Sequence, residues 1–283
     1  MARAAETTEG ARIDWQEWIG RVYQGDCLDL MASLPGESID LVLTDPPYGL
    51  NYNNGDLASV WEEALGHGPA GPARPIAGDG RDDWVQNLPL WMEQFARVLV
   101  KGGCCCCCCC GGGPSPIFAE MTLAMDAAMQ FKQAIVWDKG GLGMGWHYRR
   151  SYEFMLVAQK PGAACKWYGD NRQSNVVRIP KIIPSAVQHP TEKPVRLMEQ
   201  FILLHSRPGD LILEPFAGSG STLEAAERLG RRWIAAEIDP MWAEKAQTRA
   251  ERARLSRPLP LLSAASGTRT GRAGKGEATG SLW

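Results

Sequence analysis

The chain lacks a strong charge of either sign and any long apolar run. Its 30 Lys and Arg residues nearly balance 32 Asp and Glu residues, and the formal net charge is −2. This excludes a basic nucleic-acid coat, so any nucleic-acid-binding face has to be a local patch. No stretch reaches the roughly 18 consecutive apolar residues that mark a membrane-spanning helix. The first residues also lack the apolar core of a secretion signal. We therefore expect no membrane association and a cytoplasmic location.

Cysteine is present, but it is not distributed along the chain. Seven of the nine cysteines form the block Cys104–Cys110, and only Cys27 and Cys165 lie elsewhere. Neighbours in a strand point to opposite faces and cannot easily pair, so the pattern does not predict a disulfide framework. We interpret the block as a buried strand of small apolar side chains. The alternatives are a redox sensor and a metal or cluster site. No other group with ligand spacing accompanies the block, so no bound metal is predicted.

Composition divides the chain into one folded domain and two polar ends. Residues 1–12 are polar and patternless, and residues 256–283 are rich in Ser, Thr, Gly, Ala and Arg. Both ends are predicted to be flexible, which leaves a domain at 13–255. Within this domain, strands are predicted at 19–24, 39–44, 134–138, 152–159, 211–214 and 233–237. Helices are predicted at 28–34, 84–99, 117–129, 194–205, 221–229 and 241–255, with an interruption at Pro89 in the second. This alternation indicates a three-layer α/β fold with a mostly parallel central sheet.

A glycine-rich turn follows the predicted strand 211–214 and opens a helix. Its sequence, FAGSGST at 216–222, lets the backbone turn sharply and approach a ligand at a helix N-terminus. Glu237 ends the next strand, at a spacing of about 20 residues that suits hydrogen bonding to ribose hydroxyls. The pattern predicts a nucleotide-type cofactor, and taken alone it leaves NAD open.

The sequence Asp45-Pro46-Pro47-Tyr48 follows the apolar strand 39–44, and should therefore lie on the same edge of the sheet. Two prolines fix the backbone and remove two donors, so the carbonyls there can only accept hydrogen bonds. A carboxylate and a carbonyl together can accept both protons of an amino group, and Tyr48 offers a ring on which a base can stack. The alternative is an ordinary proline-rich turn with a packed tyrosine.

Together these residues resemble the amino-group DNA methyltransferases of the N4-cytosine/N6-adenine type. The resemblance covers most of the folded chain: GDCLDLM at 25–31, DPPYGL at 45–50, HPTEKP at 189–194, LEPFAGSGST at 213–222 and AEID at 236–239. The catalytic motif precedes the glycine motif, which is similar to the β-type order of that family. The resemblance implies a Rossmann-like, S-adenosylmethionine-dependent methyltransferase fold, S-adenosyl-L-methionine as cofactor and double-stranded DNA as partner.

The resemblance also implies roles for individual residues. Asp45 and Pro46 accept the amino protons, Pro47 completes the catalytic loop, and Tyr48 is the stacking ring. Asp26 and Cys27 are the implied contacts to the adenine of the cofactor, and His189, Thr191 and Lys193 are those to its methionine end. Gly218, Gly220 and Glu237 would hold the methionine and ribose parts. Beside them lie Asp45, Glu214, Phe216, Ser221 and Thr222. HPTEKP has a second interpretation as a helix start, with Thr191 as cap and Pro194 in the first turn.

The form of the catalytic motif favours the N6 amino group of adenine, and cytosine N4 is the runner-up. The target base has to be flipped out of the duplex to reach the site. A catalytically silent DNA-binding relative is the alternative of another class. A methyltransferase for RNA or protein is disfavoured by the motif order.

Candidate DNA contacts fall in three segments. The predicted contacts are Trp146, Tyr148, Arg149, Arg150, Lys166, Arg172, Arg178 and Lys181, through stacking or phosphate pairing. A glycine-rich surface turn with a solvated Arg pair explains the first four equally well. The segment 161–188 is short for a recognition domain. The loop 51–83 therefore shares the task, or a second subunit does so in a homodimer, and we expect a short, degenerate recognition site.

Overall fold

The structure, a computed structural model, describes residues 14–48, 80–109, 117–142, 147–182 and 192–257. The strands are β1 Val22–Gln24, β2 Ile39–Thr44, β3 Leu99–Cys109, β4 Gln130–Asp138, β5 Tyr152–Gln159, β6 Val176–Arg178, β7 Leu211–Glu214 and β8 Arg232–Glu237. The helices are α1 Cys27–Ser33, α2 Arg81–Val98, α3 Ile117–Ala128, α4 Val195–His205, α5 Ser221–Arg228 and α6 Pro240–Leu255, after a 3₁₀ turn at Trp15–Trp18.

In the described part of the chain, the strands form one sheet in the order β1-β8-β7-β2-β3-β5-β4-β6. Only β5 runs against its neighbours, β3 and β4, while the other pairs are parallel. The helices α1, α2 and α3 pack on one face of the sheet, and α4, α5 and α6 pack on the other. The predicted three-layer α/β fold with a mostly parallel sheet is confirmed.

The cysteine block forms the carboxyl-terminal half of β3. Cys105, Cys107 and Cys109 face the core beneath α1 to α3, and Cys104, Cys106 and Cys108 face the core beneath α4 to α6. These six side chains are at most 2% exposed. Alternation across a strand buried on both faces explains why small apolar side chains suit every position. The interpretation of the block as a buried strand is confirmed for Cys104–Cys109, whereas Cys110 lies outside the described residues.

Several predicted boundaries were wrong. The helix α2 continues through Pro89, because Pro89 lies on its exposed side while Trp84, Leu88 and Trp91 anchor both halves in the core. The predicted strand at 19–24 is shorter, since a 3₁₀ turn precedes it and only Val22–Gln24 pair with β8. Segment 161–188 contains β6, a strand that was not predicted, and β6 adds to the sheet through β4. Among the described residues, no helix is long and apolar enough to cross a membrane.

Candidate active site

Four motif segments meet at one edge of the sheet. The strands β1, β8, β7 and β2 are parallel neighbours, so their carboxyl ends lie side by side. These ends carry Asp26, Glu237, Glu214 and Asp45, respectively. The sequence predicted this common edge for the catalytic loop and the glycine turn, and the register of the strands confirms it. We refer to it as the catalytic edge.

The carboxylate of Asp45 is held by two side chains. The Tyr48 hydroxyl donates a short hydrogen bond to Asp45 Oδ1, and Lys193 Nζ donates to Asp45 Oδ2 at 2.6 Å. Lys193 Nζ also lies 3.4 Å from the Tyr48 hydroxyl and 5.5 Å from the centre of its ring. Pro46 and Tyr48 are buried, and the Tyr48 side chain is only 4% exposed. The carboxylate of Asp45, the hydroxyl of Tyr48 and the ammonium group of Lys193 therefore form a fixed arrangement.

The ion pair of Asp45 extends into a chain of alternating charges. Lys193 Nζ lies 3.6 Å from Glu153 Oε2, and Lys139 Nζ lies 2.9 Å from Glu153 Oε1. Glu153 is on β5 and Lys139 follows β4, so strands from the distal half of the sheet buttress the catalytic loop. Each of the four side chains is less than one-fifth exposed, so the charges interact with little screening by water. We call Asp45, Lys193, Glu153 and Lys139 the charge chain.

Burial and charge act in opposite directions on the two acids of this chain. Burial raises the pKa of Asp45 above its ordinary value, although Lys193 and the Tyr48 hydroxyl lower it in part. For Glu153 burial also acts upward, but Lys193 and Lys139 outweigh it and the pKa is lowered. Lys193 therefore favours the ionised form of both acids, and it limits the rise in the pKa of Asp45 that burial causes.

Glu214, at the end of β7, is satisfied by neutral donors. Its Oε1 accepts from Thr44 Oγ1 at 2.5 Å and from the Phe216 N–H at 3.1 Å, and its Oε2 accepts from Thr222 Oγ1 at 2.7 Å. Burial raises the pKa of Glu214 to about 8. Both oxygens are thus engaged within the protein, where they join β2, β7 and α5.

The glycine turn is shaped by Glu237 and by two left-handed glycines. Glu237 Oε2 accepts the Gly218 N–H at 2.8 Å, and its Oε1 accepts the Asp239 N–H at 3.0 Å. Gly218 and Gly220 have φ angles of 48° and 81°. A Cβ at Gly220 would lie 2.9 Å from the Ala246 Cα, so α6 packs directly against this turn. Ser221 and Thr222, also predicted contacts, are buried at the start of α5.

Asp26 and Cys27 lie at the end of β1, beside Glu237. The Gly25 N–H donates to the Glu237 carbonyl at 3.0 Å, which fixes the distance between the two strand ends. Asp26 caps α1 by accepting the Leu28 N–H at 2.8 Å. Cys27 is 5% exposed, and burial raises the pKa of its thiol. Both residues therefore have structural roles here, and the predicted adenine contact remains a prediction.

Three residues that carry no recognisable motif complete the edge. Arg249 on α6 donates to Glu192 Oε1 at 2.7 Å and to the Ser219 carbonyl at 3.2 Å, so it connects the segment before α4 to the glycine turn. Trp91 on α2 packs edge-on against Phe216, with ring centres 4.9 Å apart. Glu153 belongs to the charge chain. Only the apolar, helical spacing around Trp91 marked it as buried; nothing in the sequence linked Arg249 or Glu153 to the site.

The predicted DNA contacts do not form one group. Tyr148, Arg149 and Arg150 precede β5, and Arg178 and Lys181 end or follow β6, so these five lie at the catalytic edge. Tyr148 is 93% exposed, and the Arg178 side chain is 84% exposed.

Two other predicted contacts lie elsewhere. Lys166 Nζ is 2.5 Å from Asp40 Oδ1 at the beginning of β2, and Arg172 precedes β6. Both are therefore on the opposite edge. The predicted residues Trp146, His189 and Thr191, and most of the loop 51–83, lie outside the described residues.

The fold and the edge together define a class. Residues 39–248 match the family of DNA methylases of the N6/N4 type, and the chain belongs to this family. It is a DNA methyltransferase that acts on amino groups.

Individual relatives agree with this class. The chain is 30% identical to YubD, a protein of Escherichia coli (strain K12) named as a methylase, over 82% of this chain and 90% of that one. It is 28% identical to YhdJ, a DNA adenine methyltransferase of the same organism, over 77% and 78%. The solved structure of a DNA modification methylase from Thermus thermophilus, complexed with S-adenosyl-L-methionine, has a TM-score of 0.60 and 23% identity, over 83% and 95%. At this identity the likeness shows the fold.

Proposed function

We propose that the protein transfers a methyl group from S-adenosyl-L-methionine to the N6 amino group of adenine in double-stranded DNA. The observation that carries this proposal is the placement of Asp45 and the glycine turn on adjacent parallel strands, β2 and β7. A proton acceptor for an amino group and a nucleotide-binding turn thereby share one edge. Adenine is favoured over cytosine N4 by the Asp-Pro-Pro-Tyr form of the loop, and the likeness to the YhdJ adenine methyltransferase supports it.

The residues of the edge fit the proposed cofactor. The glycine turn has no Cβ at Gly218, so the backbone there can approach a ligand closely, while Gly220 lets α6 pack against the turn. Glu237, part-exposed at the neighbouring strand end, has carboxylate lone pairs beyond the two N–H groups that it already accepts and can bind ribose hydroxyls. Asp26 and Cys27 would border the adenine, and Phe216 would lie beside the residues that hold the methionine and ribose. Lys193 would border the methionine end, together with the predicted His189 and Thr191. When bound, the cofactor supplies an activated methyl group on a sulfonium.

The protein's own contribution is to hold the amino group and accept its protons. A carboxylate has about four acceptor positions, so Asp45 retains capacity beyond Tyr48 and Lys193. Together with the Pro46 carbonyl it can orient the nitrogen lone pair toward the methyl group. This task needs the ionised form of Asp45, which Lys193 favours. Because Tyr48 is almost fully covered, it can stack on the base only after its ring is uncovered.

The exposed residues at the same edge are suited to contact DNA around the flipped base. Tyr148 offers a ring for stacking, and positive charge for phosphates comes from the exposed Arg149, Arg178 and Lys181 and from the half-buried Arg150. Lys166 and Arg172 lie away from this edge, so we do not include them in the proposed DNA-binding surface. A homodimer would extend the surface, and a cytoplasmic location would give access to the DNA.

The experiment is a transfer assay with isotopically labelled S-adenosyl-L-methionine and duplex DNA, RNA or protein as acceptors. Label is expected in DNA only, and digestion to nucleosides is expected to yield labelled N6-methyladenine. Labelled N4-methylcytosine would instead identify the N4 amino group of cytosine as the target. Binding of DNA without transfer would instead support a catalytically silent relative, while transfer confined to RNA or protein would refute the proposal.

A further inference from the structure

A pair of thiols lies outside the catalytic edge. Cys104, in the middle of β3, and Cys165, which follows β5, are 61 positions apart in the sequence, yet their sulfur atoms are 3.4 Å apart. Cys104 is fully buried and Cys165 is exposed. The pair therefore combines one thiol that solvent can reach with a second that it cannot.

The backbone holds the segment of Cys165 against β3. The Lys166 N–H donates to the Gly102 carbonyl at 2.8 Å, and the Gly102 N–H donates to the Lys160 carbonyl at 3.0 Å. Lys166 also pairs with Asp40 on β2. These contacts hold the backbone on both sides of Cys165 against β3 and β2, so the fold brings Cys165 next to Cys104.

Access and charge distinguish Cys165 from the buried cysteines. It lines a cavity of about 260 Å³ together with Lys132, Trp167 and His205. The hydrogen bond with Cys104 and the charge of Lys132 lower the pKa of the Cys165 thiol to about 7. The hydrogen bond with Cys165, burial and the Cys106 sulfur raise the pKa of Cys104. A thiolate is the nucleophilic form of cysteine, so of these sulfurs Cys165 is the one suited to react first.

We propose that Cys165 and Cys104 form a site of reversible oxidation that closes to a disulfide. The oxidant is a hydroperoxide. The Cys165 thiolate attacks its distal oxygen and breaks the O–O bond, which gives a sulfenic acid and an alkoxide or hydroxide that takes up a proton. The Cys104 thiol then attacks the Cys165 sulfur. An S–S bond forms, the sulfenic oxygen leaves as water with the Cys104 proton, and the two sulfurs have together lost two electrons to the peroxide. A dithiol reductant reverses the change.

The neighbouring cysteines explain why the pair is specific. Cys105 and Cys107 lie on the opposite face of the sheet, where they are 3.5 Å from each other and fully buried. Cys106 and Cys108 share the face of Cys104 but lie further along the strand, and Cys108 contacts the Met155 sulfur. Cys104 is therefore the partner within direct contact of the exposed thiol.

The test uses the full chain, treated with hydrogen peroxide and then with dithiothreitol. We expect each chain to lose the mass of two hydrogen atoms on oxidation, without a covalent link to a second chain, and to regain this mass on reduction. After tryptic digestion, the peptide 102–132 should be linked to the peptide that contains Cys165. The linked form closes a long loop, so its Tm should rise by about 5 °C or more.

Variants identify the two sulfurs. In Cys165→Ser, an exposed change that should not disturb folding, neither the mass loss nor the link should occur. In Cys104→Ser, Cys165 should instead be trapped as its sulfenic acid by dimedone. Cys106→Ser is the matched control and should still form the link. The proposal is overturned if Cys165→Ser still loses two hydrogens, if the link depends on Cys106, or if oxidation yields a covalent dimer.

Discussion

Asp45 and Glu214 end neighbouring strands, yet their surroundings differ. Asp45 faces an ammonium group and a hydroxyl, and it belongs to a chain of four charged side chains. Glu214 faces two hydroxyls and one N–H, all neutral. Burial raises the pKa of both acids, but only Asp45 has a cation that opposes it. The difference indicates that Lys193 assists ionisation of Asp45, whereas Glu214, which joins the strands through neutral donors, keeps its proton to a higher pH than an ordinary glutamate.

Replacing Asp45 by Asn should produce the largest effect. The amide keeps the shape of the side chain but removes the charge and one acceptor, so methyl transfer should fall by about 10²–10⁴-fold. Affinity for S-adenosyl-L-methionine, measured by calorimetry, should change little, because the glycine turn and Glu237 are untouched. Transfer at the wild-type rate would contradict the assigned role. If cofactor binding were lost as well, the two neighbouring sites would not be separable.

Gly220→Ala should disturb the glycine turn, which is the part of the catalytic edge proposed to bind the cofactor. The added Cβ would lie 2.9 Å from the Ala246 backbone. The alanine would also have to adopt a φ of 81°, and this backbone strain alone costs about 1–3 kcal/mol. We expect a lower Tm and weaker cofactor binding, measured by thermal unfolding with and without S-adenosyl-L-methionine.

Gly209→Ala is the matched control for this change. Gly209 has a φ of 88°, but a Cβ there meets nothing within 4 Å. It should therefore lower the Tm through strain alone and leave cofactor affinity unchanged. Equal loss of affinity in the two variants would show that packing of α6 against the glycine turn has no part in binding.

Glu214→Gln should have the smallest effect, and mainly on the pH dependence of stability. The unfolded chain releases this proton near the ordinary pKa of 4.5, whereas the folded chain retains it until about pH 8. The folded state therefore binds more protons between these values, and wild-type stability falls as pH rises through them. The variant, which has no proton to lose, should show a shallower decline in urea unfolding between pH 5 and pH 8. An equal decline would mean that Glu214 is ionised throughout.

The features that could be predicted from the sequence are those that the order of the strands and the local motifs determine. Asp45 follows a mostly apolar, β-branched strand, and the glycine turn follows the strand that ends at Glu214. Both strands are parallel members of the sheet, so the fold class brings Asp45 and the glycine turn to one edge. The burial of Cys104–Cys109 on both faces of β3 was also predictable, since small apolar side chains are tolerated on both faces of a central strand.

What the sequence left open depends on contacts between distant positions. Lys193 and Asp45 are 148 positions apart, and Arg249 and Glu192 are 57 apart. No local pattern specifies such pairs. Nor could composition show that Lys166 pairs with Asp40 on the far edge instead of contacting DNA. The helix through Pro89 was missed because burial on both sides of the proline outweighs its missing hydrogen bond.

The dependence of Asp45 on Lys193 is tested most directly by the pH profile of single-turnover methyl transfer to DNA. In the wild type, the rate should fall as pH decreases through the raised pKa of Asp45, because protonation removes the acceptor. Lys193→Met removes the cation that lowers this pKa, so its acidic limb should move to higher pH and Lys193→Arg should restore it in part. Lys160→Met, which removes a cation paired with Glu37 at the opposite edge, should leave the limb in place. An unchanged or downward-shifted limb in Lys193→Met would contradict the account.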